Sequence, residues 1–131
     1  MSVQEYVGLL NPTLSEAGYT LIETDENTLY RGSGAWAAYY RGADCKLQLC
    51  WASRDGGTYF MLAALDAPNE LGLVNSSKKW RMMLLLSEVD DIISAPSVGA
   101  DYVTVSAWLK QLFNMHYASA HAALMNQLNA E

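Results

Sequence analysis

Basic residues are scarce in this chain, and the first thirty positions have none: Glu5, Glu16, Glu23, Asp25 and Glu26 stand there without a Lys or Arg. Eight Lys and Arg against fourteen Asp and Glu give a formal charge of −6 and a pI near 4.7. That balance excludes a general affinity for nucleic-acid phosphates or anionic lipid, so neither nucleic acid nor a membrane is expected as a partner. Lys78, Lys79 and Arg81 cluster in the second half, but three cations are too few for a nucleic-acid footprint.

Cysteine is scarce too. Cys45 and Cys50 are five apart in a stretch that reads as a strand, which sends their side chains to opposite faces, so they should not bond each other. Without a disulfide framework, a long apolar run or a signal-peptide pattern, the chain reads as a cytoplasmic protein with free thiols. The two histidines, His116 and His121, are five apart on a helix, about 140° round its axis, and cannot share a metal as residues four apart do. Each is expected to be an imidazole hydrogen-bonded to a neighbour, and no metal or cofactor is expected.

Catalytic signatures are missing as well. Cys50 beside Trp51 lacks the flanking pattern of a thiol protease. Asp90 and Asp91 are adjacent, about 100° apart on a helix, which suits a helix start better than a catalytic carboxylate pair. Nothing here names a reaction, and the chain reads as non-catalytic.

What the chain has is apolar mass, with 51% apolar and 17% charged residues in 131. A domain of this length buries roughly 65 to 70% of the surface of its unfolded chain, so residues 1–131 read as a single domain with a real core. A low charge fraction also raises the demand for some apolar surface to be covered by a partner. The organising run is Leu29 to Ala67, where Gly34 to Tyr40, Cys45 to Ala52 and Thr58 to Leu65 read as three strands of an antiparallel meander. In the second, CKLQLCWA, apolar and polar residues alternate with the period of a half-buried strand. Ser53 to Gly57 supplies a glycine-rich turn into the third.

Upstream, Ser2 and Glu5 form a capping-box pattern, and Val3, Tyr6, Val7 and Leu10 share one helical face. Pro12 predicts a break or a fresh first turn, with Leu14 continuing the stripe and Gly18 ending the helix. Tyr19 to Thr24 reads as a strand, Asp25 to Asn27 as a turn, and Gly32 to Gly34 as a hairpin turn or bulge. Downstream, Trp80 to Leu86 is read as a strand and Ser87 as the N-cap of a short helix stopped by Pro96. One helix across the whole stretch would put Lys78, Lys79 and Arg81 at the wrong end of its dipole. Asp101 or Thr104 then caps a long terminal helix to about Asn129, with Val105, Trp108, Leu109, Leu112, His116, Ala120, Ala123 and Leu124 as its apolar stripe.

The expected fold is therefore α+β: a meander sheet of four to five antiparallel strands, with the N-terminal helix, a short helix and a long C-terminal helix packed on one face. That order resembles the architecture of small bacterial proteins that bind other proteins, including toxin-immunity proteins and secretion chaperones. Secretion chaperones add a second hairpin after the middle helix, which this chain lacks, and the resemblance rests on no motif.

If helices cover one sheet face, the other is open. Trp36 and Tyr40 on one strand face, with Tyr39 and Trp51 nearby, are the candidates for a partner-binding patch of the aromatic composition found at interface hot spots. The resulting expectation is a non-catalytic protein-binding module, immunity-protein-like or chaperone-like, whose partner is another protein or a second copy of itself. The acidic first third is a second candidate surface. The alternative is a small-ligand binder or enzyme with a pocket between sheet and terminal helix, lined by Trp108, Met115, His116 and Tyr117.

Overall fold

The computed structural model describes residues 2–54 and 56–131. Ser2 caps helix α1 (Val3–Glu16), with its hydroxyl accepting from the Gln4 amide and Glu5 reaching back in a capping box. Glu26 adds a carboxylate to the same terminus, accepting from the Val3 amide at 2.9 Å, where the free amides and the dipole favour negative charge. The helix does not break at Pro12. Pro12 and Gly8, four residues apart, are both exposed, so the Gly8 carbonyl that loses its helical partner turns to water. Gly18, at φ 95°, closes the helix, with the Tyr19 amide bonded to the Leu14 carbonyl and the Gly18 amide to Ser15.

Five antiparallel strands follow in simple meander order: β1 (Thr20–Tyr30), β2 (Ser33–Arg41), β3 (Lys46–Ala52), β4 (Thr58–Ala63) and the two-residue β5 (Arg81–Met82). The turn expected at Asp25 to Asn27 is instead a bulge within one long β1. The register slips between Asp25 and Thr28, and the Asp25 carboxylate accepts from the Asn27 amide, a local bond that serves a bulge as well as a turn. The hairpin turns at Arg31 and Gly32, both with positive φ, the backbone a two-residue loop between right-twisted strands requires.

The expected strand over Trp80 to Leu86 shrinks to Arg81–Met82, and helix α2 occupies Met83–Leu86. Ser87 is the C-cap of α2, not the start of a helix, and residues 88–100 form no regular element. The reason lies in the long helix α3 (Tyr102–Asn129). Its Ser119 hydroxyl takes the Glu88 amide, its His116 Nδ1 shares a 2.8 Å bond with the Ser87 hydroxyl, and its Trp108 indole donates to the Ile93 carbonyl. Those bonds hold the segment along α3 and give the Glu88 amide and the Ile93 carbonyl partners outside any helix of their own. Asp101 caps α3, which at 28 residues runs about 42 Å.

The helices lie on one sheet face. Trp36, Ala38 and Tyr40 of β2, Leu47 and Leu49 of β3, and Phe60 and Leu62 of β4 join α1 and α3 in one core. Register explains the grouping, since Ala38 pairs with Leu49 and Leu49 with Phe60. The opposite face is also covered, by the connection 64–80, whose Ala67, Leu71 and Trp80 pack on Ala37, Tyr39, Cys50 and Met61 in a second core. Lys46 and Gln48, the polar positions of the β3 alternation, therefore do not meet solvent. The Lys46 ammonium donates to the Ala67 carbonyl and to Asn69, and burial lowers its pKa. Cys45 and Cys50 belong to the two opposite cores and are not bonded to each other. Among the described residues, no helix is long and apolar enough to cross a membrane.

Candidate functional site

The aromatic patch expected on an open sheet face does not form. Trp36 and Tyr40 are 2% and 1% exposed and lie under the helices, and Tyr39 is equally buried beneath the 64–80 connection. Trp36 packs between the Tyr6 and Trp51 rings, with centroids at 5.1 and 6.3 Å, and Trp51 is half-buried. Burial raises the pKa of both Tyr39 and Tyr40, and the Tyr40 hydroxyl donates to Asn11 on α1. Strand parity places Trp36 and Tyr40 together correctly; which face the helices take is decided by packing that parity does not contain.

The acidic first third is partly spent inside the molecule. Glu26 caps α1, and Glu23 accepts from the Asn69 side chain at 2.9 Å.

The four residues expected to line a pocket are divided. Trp108 and His116 line an open cleft of about 340 Å³ between α3 and the 84–93 segment, completed by Leu84, Val89, Ile93 and Leu112 with Asp90 and Asp91 also lining it. Met115 and Tyr117 are not among its lining residues. Between the middle of α3 and the sheet, Phe113 packs against Phe60 at 5.7 Å, with Leu109, Leu112 and Leu124 buried in the same core. Near the start of α3, by contrast, a cavity of about 240 Å³ lies between Val105 and Trp108 of α3, Thr58 and Tyr59 of β4, and Tyr6.

Exposed large apolar side chains recur along this part of the chain, and two of them, Leu84 and Ile92, line the 340 Å³ cleft. Leu85 is 84% exposed, Ile92 91% and Val98 85%, and Leu84 and Val103 are also open to solvent. From Met82 to Leu109 the chain has Glu88, Asp90, Asp91 and Asp101 and no Lys or Arg. An apolar surface with an acidic edge results. Its signal in the sequence is the run of Leu, Ile and Val between acidic residues, which reads locally as a strand and a helix.

A second grouping lies at the other end of α3. Tyr117 hydrogen-bonds to Tyr19 at 2.7 Å, Tyr19 to the Cys45 thiol at 3.0 Å, and the Tyr117 ring packs against His121. His121 Nε2 is 2.9 Å from the Asp44 carboxylate. Burial pushes the Cys45 thiol up to about 11, against the opposing hydrogen bond from Tyr19, and burial likewise raises Tyr19 and Tyr117. At neutral pH the thiol is therefore protonated and unsuited to act as a nucleophile.

The chain is thus a two-layer α+β protein with an antiparallel meander, a buried aromatic sheet and an exposed apolar and acidic margin. Comparison with protein-family models, with curated proteins and with solved structures finds no match to it.

Proposed function

We propose that this chain is a non-catalytic protein-binding module of the cytoplasm, an immunity-protein-like or chaperone-like adaptor, which docks a partner on the surface between Leu84 and Val103. The observation that carries the reading is the exposure of Leu85, Ile92 and Val98 within one segment of the chain, each beside a preformed cleft, since large exposed apolar side chains favour burial against a partner. Charge selects the partner's chemistry. A segment presenting apolar side chains beside Lys or Arg would complement Glu88, Asp90, Asp91 and Asp101. A second copy docking through the same patch would set these carboxylates against themselves.

Selection from a displayed library of random short peptides tests this. The native chain should enrich peptides that combine apolar and basic residues. Leu85→Asp with Ile92→Asp should abolish the enrichment and leave the circular dichroism spectrum unchanged, each anchor being worth about 2 kcal/mol or more if central. Enrichment that survives the double substitution, or no enrichment at all, would overturn the proposal. So would a stable dimer by light scattering that the same substitutions dissolve, because it would give the surface to a second copy.

A small-ligand or enzymatic role has less support. Trp108 and His116 share an open cleft whose imidazole is tied to Ser87, and the cavity between α3 and β4 is lined by Trp108 without Met115, His116 or Tyr117.

A further inference from the structure

Asp44 and Cys45 close the turn between β2 and β3, and His121 comes from α3, 77 residues beyond Asp44 in sequence. Their carboxylate oxygen, thiol sulfur and imidazole nitrogen lie within 4.8 Å of one another. The turn is held in place: the Gly42 amide donates to the Cys45 carbonyl at 2.9 Å, and the Tyr19 ring lies so close to Gly42 that a Cβ there would come within 2.7 Å of it. On the other side, Tyr117 packs on the His121 ring and bonds to Tyr19. Both ends of the cluster are thus fixed by neighbours.

We propose that Asp44, Cys45 and His121 bind one divalent cation of the zinc class. One oxygen, one nitrogen and one sulfur donor suit a borderline-soft ion, whereas calcium and magnesium take oxygen ligands. His121 Nε2 and the Asp44 oxygen are 2.9 Å apart, near the separation of two donors on one small ion. Asp44 and His121 are partly open to solvent and Cys45 is buried behind them, so an ion enters from the surface and a water completes its shell. Coordination releases the thiol proton to solvent. Tyr19 then donates its hydroxyl proton to the bound thiolate, and the packed Tyr117 ring keeps the imidazole in place, so both tyrosines orient the ligands without touching the ion. The site is separate from the Leu84 to Val103 surface and does not depend on a partner.

Titration of the metal-free protein with Co²⁺, followed by absorption spectroscopy, tests the proposal. A thiolate-to-cobalt charge-transfer band saturating at one equivalent and displaced by Zn²⁺ is expected. The band should vanish in Cys45→Ser and persist in Cys50→Ser, whose sulfur lies in the opposite core. Asp44→Asn and His121→Ala, at partly exposed positions, should keep the fold and weaken binding by about tenfold or more. They preserve the test if Cys45→Ser does not fold. Absence of the band in the native protein, its survival in Cys45→Ser, or unchanged affinity in both Asp44→Asn and His121→Ala would overturn the site.

Discussion

Gln48 and Gly72 are joined on the sheet face away from the helices: the Gly72 amide donates to Gln48 Oε1 at 2.9 Å, and Gln48 Nε2 donates to the Glu70 carbonyl at 3.0 Å. One fully buried side chain thereby serves two backbone groups of a connection that has no strand ladder of its own. Gly72 allows the approach, since a Cβ there would overlap the Met61 sulfur.

Gln48→Leu keeps the volume and removes both bonds. Each stranded backbone group costs about 1 to 3 kcal/mol, so urea unfolding should show a loss of about 2 kcal/mol or more. Amide exchange should accelerate first in residues 66–75. Unchanged stability would mean that Ala67, Leu71 and Trp80 hold the connection by apolar contact alone.

Trp36 and Tyr40 belong to the core, and their replacement should act on folding. Trp36→Ala is expected to cost about 3 to 5 kcal/mol in urea unfolding, with Tyr40→Ala in the same direction. Leu85→Ala and Ile92→Ala, in contrast, should stay within about 0.5 kcal/mol of the native protein. A Trp36→Ala protein of native stability would contradict the burial of the indole.

Much of the meander is legible in residues alone, because period-two alternation and glycine turns act over a few positions. Lys46 and Gln48 show the limit. Alternation marks them as polar and hence outward, but their side chains meet the carbonyls and amides of a connection about twenty residues downstream, which no local period encodes. Ser87 fails for a related reason: its hydroxyl accepts the Val89 amide as an N-cap would, but it also bonds His116 of α3, and no helix follows it. His121 and Cys45 likewise come together only when α3 crosses the sheet, so spacing along the chain carries no sign of the cluster.

Helix α1 carries two residues that oppose helix formation on its exposed side. A Cβ added at Gly8 would meet nothing within 4 Å, and the position lies inside the helix, so Gly8→Ala should stabilise the protein by about 0.5 to 1 kcal/mol. Pro12→Ala restores an amide donor for the Gly8 carbonyl and should also raise the melting temperature, less the entropy that proline removes from the unfolded chain. A fall in melting temperature for both variants would indicate that the α1 surface around them packs more closely than its exposure implies.

At the start of α3, the Asp101 carboxylate accepts from the Thr104 amide at 2.8 Å, and that bond holds its carboxyl below the ordinary aspartate value. A depressed folded-state pKa contributes stability that is present above the ordinary value and is lost as pH falls through the folded one. Melting temperatures of the native protein and of Asp101→Asn, which keeps an acceptor without the charge, should therefore differ most at neutral pH and converge in acid, with the native protein the more stable of the two where they differ. Other carboxylates titrate in both proteins, so the difference between the curves isolates Asp101. Parallel curves across the acid range would show that the cap works through its hydrogen bond alone, with no contribution from charge at the helix terminus.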